Sequence, residues 1–313
     1  MIVMTLDHER SLSGGRTILF VHGLLHGSWC WSEPWREYFH RQGIRTQVGN
    51  LPGHGGIRAD PSEQRWASLS DYADAVVQMV AGYHPTPILV GHSLGALLIQ
   101  MRMRELHPPA VVLLAPTDPT AFRWSAWHHF WREPGLFLRV HRQQSPLLAF
   151  PTPEACRKRF FSDKTPNRVV DRCFARLEEE SYRVCLELLL RPKVVWRAQT
   201  DTPVLVLGAG QDRSVPRRAT ERVARLYGVQ AEFFEEAGHD LMLEPGWQQV
   251  AERIVSWLRE LRLAGRRRLP IPARQDSGSW RGSANGRTPA SQGLPVTFDE
   301  PQPRRRVTVL SDR

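Results

Sequence analysis

Short runs of consecutive branched apolar residues, such as VVLLA at 111–115, constrain the fold of this 313-residue chain more than any other feature. Strands buried on both faces have continuous runs of this kind, whereas strands with one solvated face alternate apolar and polar residues. Stretches with helical periodicity separate the runs, which is typical of a parallel sheet whose strands are connected by helices. The predicted strands are Thr17–Val21, Ile44–Val48, Pro87–Val90, Val111–Ala115, Pro203–Leu207 and Ala231–Phe234, with IVMTL at 2–6 as a further candidate for an antiparallel edge strand.

Two helices are predicted from local signals. Ser68 and Asp71 have the spacing of a capping box, in which each side chain bonds to the backbone N–H of the other at a helix start. Apolar residues recur at helical spacing after Ser68, so a helix is expected there. A last helix is predicted over residues 246–263, because its apolar residues form one stripe while arginine and glutamate occupy the other face.

Two segments interrupt the alternation of strands and helices. Residues 117–198 contain helical patterns and no convincing strand, and they lie between two predicted strands, so we interpret them as a helical cap inserted into the core. Residues 265–313 are rich in Gly, Pro, Ser and Arg without periodicity, so they are predicted to be a disordered tail. The α/β core is then formed by residues 1–116 and 199–264.

The net charge of +10 is concentrated in the tail, which contains ten arginines. Apart from Trp280, this tail lacks the aromatic residues expected of a nucleic-acid surface, so no nucleic-acid partner is predicted. No apolar run approaches the ~18 residues of a membrane-spanning helix, and no membrane span is expected. Asp7 and Glu9 interrupt the N-terminal stretch before a secretory apolar region can form, which favours a cytoplasmic location. The four cysteines show no CxxC pair and are predicted to be free thiols.

Ser93 lies in the stretch PILVGHSLGALLIQ, residues 87–100, where a predicted strand passes directly into a predicted helix. Serine is a favoured residue at helix starts, so a plain N-cap is one interpretation. The other is a G-x-S-x-G nucleophile elbow, in which a sharp strand-to-helix turn exposes the serine hydroxyl. Gly91 and Gly95 remove side chains where such a turn needs close backbone packing, and we favour the nucleophile.

A serine nucleophile needs a base and an acid that orients it. His239 follows the last predicted strand and is the candidate base, the alternative being a surface histidine near a helix start. Asp212 follows the strand Pro203–Leu207 and is the favoured acid, the alternative being a helix N-cap or an Asx turn ahead of Val215. Asp118 also ends a strand and is the competing acid. Asp240 is excluded as the acid because a chain neighbour of His239 cannot easily reach its ring.

Acyl transfer also needs N–H donors that stabilise the oxyanion. The Leu94 N–H at the start of the predicted helix is one candidate. Gly23 lets the backbone turn after the first strand, so that the Leu24 N–H can be the second. His22 and His26 are four residues apart in this glycine-bearing loop, but no third ligand accompanies them, and no metal site is predicted.

Five motifs in succession resemble the landmarks of α/β-hydrolase-fold enzymes across residues 15–262. They are His22-Gly23, Leu51-Pro52-Gly53-His54-Gly55, Gly91-His92-Ser93-Leu94-Gly95, Gly208-x-Gly210-x-Asp212 and Gly238-His239. The resemblance implies an α/β-hydrolase fold with a mostly parallel sheet, flanking helices and a helical cap. It also implies Ser93 as nucleophile, Asp212 as acid and His239 as base, with the Leu24 and Leu94 amides as the oxyanion hole. One departure is Asn50, where the family often has aspartate.

The resemblance also narrows the reaction. Ser93 argues against haloalkane dehalogenases and epoxide hydrolases, which use aspartate at this position. The pattern around Trp29 and Trp31 is similar to plant esterases and hydroxynitrile lyases, but those lyases have a lysine where Asp240 follows the histidine. A serine esterase without cofactor is therefore predicted. The alternatives are C–C bond hydrolase, peptidase or perhydrolase chemistry, or a non-catalytic small-molecule binder.

Aromatic residues in the predicted cap suggest the type of substrate. Trp124, Trp127 and Trp131 fall on one helical face, which either packs on the core or lines a pocket for an apolar acyl or aromatic group. Together with Gly23 and His92, these tryptophans are the predicted substrate-binding residues. The sequence leaves the oligomeric state open.

Overall fold

A computed structural model of the chain describes residues 17–31, 33–56, 60–118, 122–123, 131, 133–190 and 200–267. All of them lie within one compact unit, Met1–Arg268. The strands are β1 (Thr17–Val21), β2 (Arg45–Gly49), β3 (Ile88–His92), β4 (Val111–Leu114), β5 (Val204–Ala209) and β6 (Ala231–Phe234). The helices are α1 (Glu33–Arg41), α2 (Pro61–Trp66), α3 (Leu69–Ala81), α4 (Leu94–Leu106), α5 (Pro134–Gln143), α6 (Pro153–Phe160), α7 (Asn167–Phe174), α8 (Tyr182–Leu190), α9 (Arg217–Leu226) and α10 (Trp247–Arg267).

The six strands form one parallel sheet in the order β2-β1-β3-β4-β5-β6, which confirms the predicted α/β architecture. All six predicted strands are present: β1 and β6 have the predicted bounds, and the ends of the others differ by one or two residues. β3 continues to His92, because Gly91 and His92 still pair with Leu113 and Leu114 of β4. β4 ends before Ala115, whose φ of 42° is incompatible with an extended strand. The IVMTL segment lies outside the described residues.

Successive side chains of a strand point to opposite faces of the sheet, so each buried strand presents apolar residues on both faces. Helices cover both of these faces. Ile18 and Phe20 of β1 pack with residues of α1 and α10. Leu19 and Val21 pack on the other face with residues of α3 and α4. The carboxyl ends of the parallel strands are therefore held at one edge, where ligands bind in sheets of this type.

The predicted helix signals are present, with one difference in length. Ser68 and Asp71 form a complete capping box at the start of α3. The last helix, α10, ends at Arg267 rather than at residue 263. It therefore includes the first three residues assigned to the tail, and the rest of that segment lies outside the described residues.

Between β4 and β5, the described residues contain helices and no strand. We call residues 133–190, which comprise α5 to α8, the helical segment. None of the helices in the described part of the chain combines the length and apolar character that crossing a membrane requires.

Candidate active site

Ser93 occupies a strained turn between β3 and α4. Its φ is 50° and its ψ is −112°, a conformation that non-glycine residues rarely adopt. A Cβ at position 91 would lie 2.6 Å from the backbone N of Ala96, and one at position 95 would lie 2.5 Å from the carbonyl oxygen of His22. Only glycine fits at both places. The Ser93 side chain makes no capping hydrogen bond, so the plain N-cap interpretation does not describe its hydroxyl.

The structure brings His239 and Asp212 together. His239 Nδ1 lies 2.7 Å from Asp212 Oδ2, and both side chains are nearly inaccessible to solvent. The second carboxylate oxygen of Asp212 accepts hydrogen bonds from the amides of Ser214 and Val215, each at 2.7 Å. Asp212 therefore forms the anticipated turn and contacts the histidine as well. With Nδ1–H as the donor, His239 Nε2 is left as a potential proton acceptor.

Asp118, the competing acid, is engaged elsewhere. Its Oδ2 accepts hydrogen bonds from Nε and Nη2 of Arg222 at 2.8 and 2.6 Å. The structure thus places Asp212, and not Asp118, against His239.

Ser93 and His239 line the same cavity, which has a volume of about 1040 Å³. In this structure the Ser93 hydroxyl lies 2.9 Å from Oγ1 of Thr117, and either group can be the donor. The Thr117 amide also donates to the Ser93 carbonyl at 3.2 Å. Thr117 is not among the predicted site residues, and the signal that could have found it is a polar residue shortly after a central strand, since β4 ends at Leu114.

The two predicted oxyanion donors lie near Ser93. Leu24 lines the cavity, and Leu94 is the first residue of α4. Within the described residues, neither amide donates to a protein acceptor, so both are available to a ligand. Gly23 allows the Leu24 loop to approach, because a Cβ there would lie 2.9 Å from the Cβ of Ser93.

Two of the three consecutive glutamates after α7, Glu178 and Glu180, hold this loop in place. Glu180 is buried, accepts the amide of Leu25 at 3.0 Å and the hydroxyl of Tyr72 at 2.7 Å, and lies 3.5 Å from His54 Nε2. Burial alone would raise the pKa of Glu180, but the charge of His54 and these hydrogen bonds outweigh it and lower that pKa. Leu25 has a positive φ of 64°, so its strained backbone depends on this support.

Glu178 supplies further contacts from the same stretch. Its amide donates to the Leu25 carbonyl at 2.8 Å, and its carboxylate accepts the Trp29 indole N–H at 3.2 Å and the Gly55 amide at 2.7 Å. Residues 178–180, which we call the glutamate strap, therefore connect the helical segment to the loops after β1 and β2. No sequence pattern predicts the strap, since its partners are far away in the sequence.

Behind His239 lies a group of buried histidines. His92 Nε2 donates to the His239 carbonyl at 3.0 Å. Burial and the neighbouring His239 lower the pKa of His92 to about 3, so His92 is neutral. His22 and His26 have different partners. The His22 ring bonds to the Gly23 carbonyl and the Leu51 amide. His26 instead contacts Asp240.

The apolar wall of the cavity differs from the predicted one. It is formed mainly by the helical segment and the loops within it, through Leu136, Phe137, Val140, Phe150 and Phe160. Trp131, predicted to bind substrate, is 68% exposed and is not part of the lining. Trp124 and Trp127 lie outside the described residues. His92 contributes to the lining, whereas Gly23 serves the close approach to Ser93 described above.

Comparison with known proteins identifies relatives of this fold. The sequence matches the model of the alpha/beta hydrolase family over residues 18–253. The probable esterase PIR7A of Oryza sativa subsp. indica is 34% identical over 112 residues, which cover 34% of this chain and 41% of the rice protein. The aligned region thus spans less than half of that relative.

Solved structures show the same fold at lower identity. A thermophilic esterase from Thermogutta terrifontis, with malate bound, superposes with a TM-score of 0.61 at 21% identity, covering 79% of this chain and 90% of the other. An extracellular alpha/beta-hydrolase from a Paenibacillus species has a TM-score of 0.60 at 16% identity, covering 77% and 98%. It is described as sharing structural and functional homology with tobacco salicylic acid binding protein 2.

Proposed function

Because this chain belongs to the alpha/beta hydrolase family, we propose that it is a serine hydrolase that cleaves small-molecule carboxylic esters. Ser93 is the nucleophile, His239 the general base and Asp212 the acid that orients it. The observation that carries this proposal is the strained φ of 50° at Ser93, in a glycine-flanked turn that opens on the same cavity as His239. Backbone strain of this kind persists where the surrounding structure enforces it, often at active sites.

The proposed reaction proceeds through an acyl-enzyme. His239 Nε2 removes the proton of the Ser93 hydroxyl as Oγ attacks the ester carbonyl carbon. The tetrahedral intermediate collapses when the bond to the alcohol oxygen breaks, and His239 returns the proton to that leaving group. A water molecule, deprotonated by the same histidine, then attacks the acyl carbon and releases the acid and the free serine hydroxyl. Asp212 keeps the imidazole in the required tautomer throughout.

The Leu24 and Leu94 amides are the proposed oxyanion hole. Both lack a protein acceptor within the described residues, which supports this role. Leu94 is the first residue of α4, so the positive end of the helix dipole also favours negative charge at this point. Loss of one such donor typically costs about 2.7–4 kcal/mol of transition-state stabilisation.

The cavity supports an ester with an apolar acyl or aromatic group. Phe137, Phe150 and Phe160 provide much of its wall, and its volume of about 1040 Å³ exceeds what an acetyl group needs. We assign residues 117–198 as the cap, of which the helical segment supplies this wall. The rice protein is named a probable esterase and the Thermogutta protein an esterase, which agrees with an ester as the substrate.

Labelling with a fluorophosphonate probe tests the nucleophile. The wild-type protein should be labelled, Ser93→Ala should not, and the exposed-residue control Ser256→Ala should react like wild type. Absence of labelling in a folded wild-type protein would support a non-catalytic binder and overturn the proposal. Labelling of Ser93→Ala would overturn the assignment of the nucleophile. Hydrolysis of a nitrophenyl ester panel then separates an esterase from the other reactions of this fold.

A further inference from the structure

A cluster of three buried side chains lies beside the proposed active site and takes no part in the proposed reaction. His26, Cys173 and Asp240 are 1%, 2% and 0% exposed, and they come from the loop after β1, from α7 and from the residue after His239. His26 Nε2 lies 3.0 Å from Asp240 Oδ2. Cys173 Sγ lies 3.9 Å from that nitrogen and 4.0 Å from that oxygen. A nitrogen, an oxygen and a sulfur ligand thus face one point.

We propose that His26, Cys173 and Asp240 bind a single divalent transition-metal ion, with Zn²⁺ as the best match. Zinc prefers these three ligand types in tetrahedral geometry, at about 2.0–2.1 Å for nitrogen, 2.0–2.2 Å for oxygen and 2.3 Å for sulfur. Tetrahedral angles then require separations of about 3.4 Å between nitrogen and oxygen and about 3.6 Å between sulfur and either of them. The observed separations of 3.0, 3.9 and 4.0 Å differ from these by about 0.4 Å or less, which side-chain rotation can supply.

The orientation of His26 fits a metal ligand. Its Nδ1 lies 2.7 Å from the Leu24 carbonyl oxygen and donates its proton there. Histidine ligands in proteins commonly donate the other ring N–H to a backbone carbonyl, which fixes the ring and the tautomer. Nε2 therefore already points at the other two ligands. When the ion binds, a proton on this nitrogen leaves to solvent.

Charge balance also favours a divalent ion at this buried position. A buried ion is costly unless its ligands neutralise it. A Cys173 thiolate and the Asp240 carboxylate supply two negative charges, which match Zn²⁺, while His26 remains neutral. The thiol proton is released on binding, as thiolate ligation requires.

The surroundings of Asp240 and a second cysteine also fit a metal site. Within the described residues, Asp240 Oδ1 is buried without a hydrogen-bond partner, so this carboxylate is not saturated by the protein. Its backbone is anchored, because its amide donates to the Phe160 carbonyl at 3.0 Å. Cys156 Sγ lies 4.0 Å from Cys173 Sγ. A water molecule in the fourth position keeps the site neutral, whereas ligation by Cys156 would release a second thiol proton and leave the site with one negative charge.

A neighbouring group of His92, His239 and Asp240 also lies within ligand distance, but it is a poorer candidate. It offers no sulfur, and it would recruit His239, whose Nδ1 already bonds to Asp212. The His26 site leaves that hydrogen bond intact. Metal binding can be measured without enzymatic turnover, so the result of that test is independent of the proposed ester hydrolysis.

Titration of the full, reduced and metal-stripped chain with Co²⁺ tests the site. Thiolate-bound cobalt gives a near-ultraviolet charge-transfer band, which should saturate at one equivalent and disappear when Zn²⁺ displaces the cobalt. Cys173→Ser and His26→Gln should lose the band by tenfold or more at one equivalent. Cys185→Ser, at a half-buried thiol outside the cluster, should keep it. Absence of the band in wild type, or its retention in Cys173→Ser, would overturn the proposal.

X-ray absorption of the Zn²⁺-loaded wild-type protein keeps the test valid if a variant fails to fold. The proposal requires one or two sulfur neighbours at about 2.3 Å, with the remaining neighbours at the shorter nitrogen and oxygen distances. One sulfur corresponds to Cys173 with water in the fourth position, and two correspond to Cys173 with Cys156. A shell of nitrogen and oxygen alone would assign the ion to surface histidines and refute the site.

Discussion

Glu244 is a buried carboxylate whose removal tests how the loop carrying His239 is held. It is 2% exposed and lies between β6 and α10. Its Oε1 accepts the amides of Ser162 at 2.6 Å and Gly238 at 2.9 Å. Its Oε2 accepts the hydroxyls of Ser162 at 2.8 Å and Thr165 at 2.7 Å. Four donors from two separate loops therefore converge on one side chain, next to His239.

The expected cost of Glu244→Ala follows from these contacts. The two hydroxyls lie 3.1 Å apart and can bond to each other after the substitution. The two backbone N–H groups have no such substitute, and each loses a hydrogen bond to a charged group worth about 1.5–3 kcal/mol. The free energy of unfolding should fall by about 3–6 kcal/mol. Glu244→Gln keeps a carbonyl oxygen for both amides and should cost about 2 kcal/mol, because neutral hydrogen bonds are weaker.

Urea unfolding followed by tryptophan fluorescence measures this difference. Glu252→Gln, at an exposed position of α10, is the matched control and should change the unfolding free energy by about 0.5 kcal/mol or less. A loss below about 1 kcal/mol in Glu244→Ala would refute the reasoning, since it would mean that the two amides find other partners. An equal loss of unfolding free energy in Glu252→Gln would also refute the reasoning.

Three further predictions concern the reaction and the buried ion pair. Asp212→Asn should lower kcat by about 10⁴-fold, as the equivalent change does in the serine-protease triad. Asp118→Asn should lower kcat by less than about tenfold, because Asp118 pairs with Arg222. Equal losses in the two variants would contradict the assignment of the acid. For nitrophenyl esters of increasing chain length, kcat/KM should rise by up to about fourfold per methylene group until the cavity is filled, because each buried methylene contributes about 0.8 kcal/mol. A preference for acetate would exclude an apolar acyl pocket. Burial alone lowers the pKa of His54, but the charge of Glu180 outweighs burial and raises that pKa. The stabilisation of the folded state by this ion pair is therefore complete below about pH 6.5 and is lost as the pH rises through the raised pKa. The loss of stability caused by His54→Gln should therefore be larger at about pH 6 than at about pH 9, with the exposed His84→Gln as the control, and a pH-independent loss would show that the pair carries no charge.

The fold could be predicted because its determinants are local. Runs such as TILFV and VVLLA specify buried strands, and Ser68 with Asp71 specifies a helix start, without reference to the rest of the chain. The shifts at strand ends have backbone causes that residue types do not reveal. Ala115, for example, leaves β4 through a positive φ that alanine rarely adopts.

The site was only partly predictable, because some of its contacts join residues that are far apart in the sequence. Ser93, Asp212 and His239 each follow a strand, so parallel pairing alone places them at one edge of the sheet. Thr117 carries a weaker form of the same signal. Glu180 and Leu25, in contrast, are 155 positions apart, and no periodicity or spacing connects them. Adjacency to His239 argues against Asp240 as the acid but gives no sign that its side chain contacts His26.

The glutamate strap has a consequence for how this chain could be recombined with its relatives. Cap segments are attractive units for exchange, because they are inserted at one point and carry much of the pocket wall. Here Glu178 and Glu180 also supply the acceptors for Leu25, Trp29 and Gly55, which belong to the loops after β1 and β2. A grafted segment that lacks these carboxylates would leave donors unpaired beneath it and release the loop that carries Leu24. The pocket wall and the geometry of the proposed oxyanion hole are thus inherited together, and a chimera would have to retain residues 178–180 to alter one without the other.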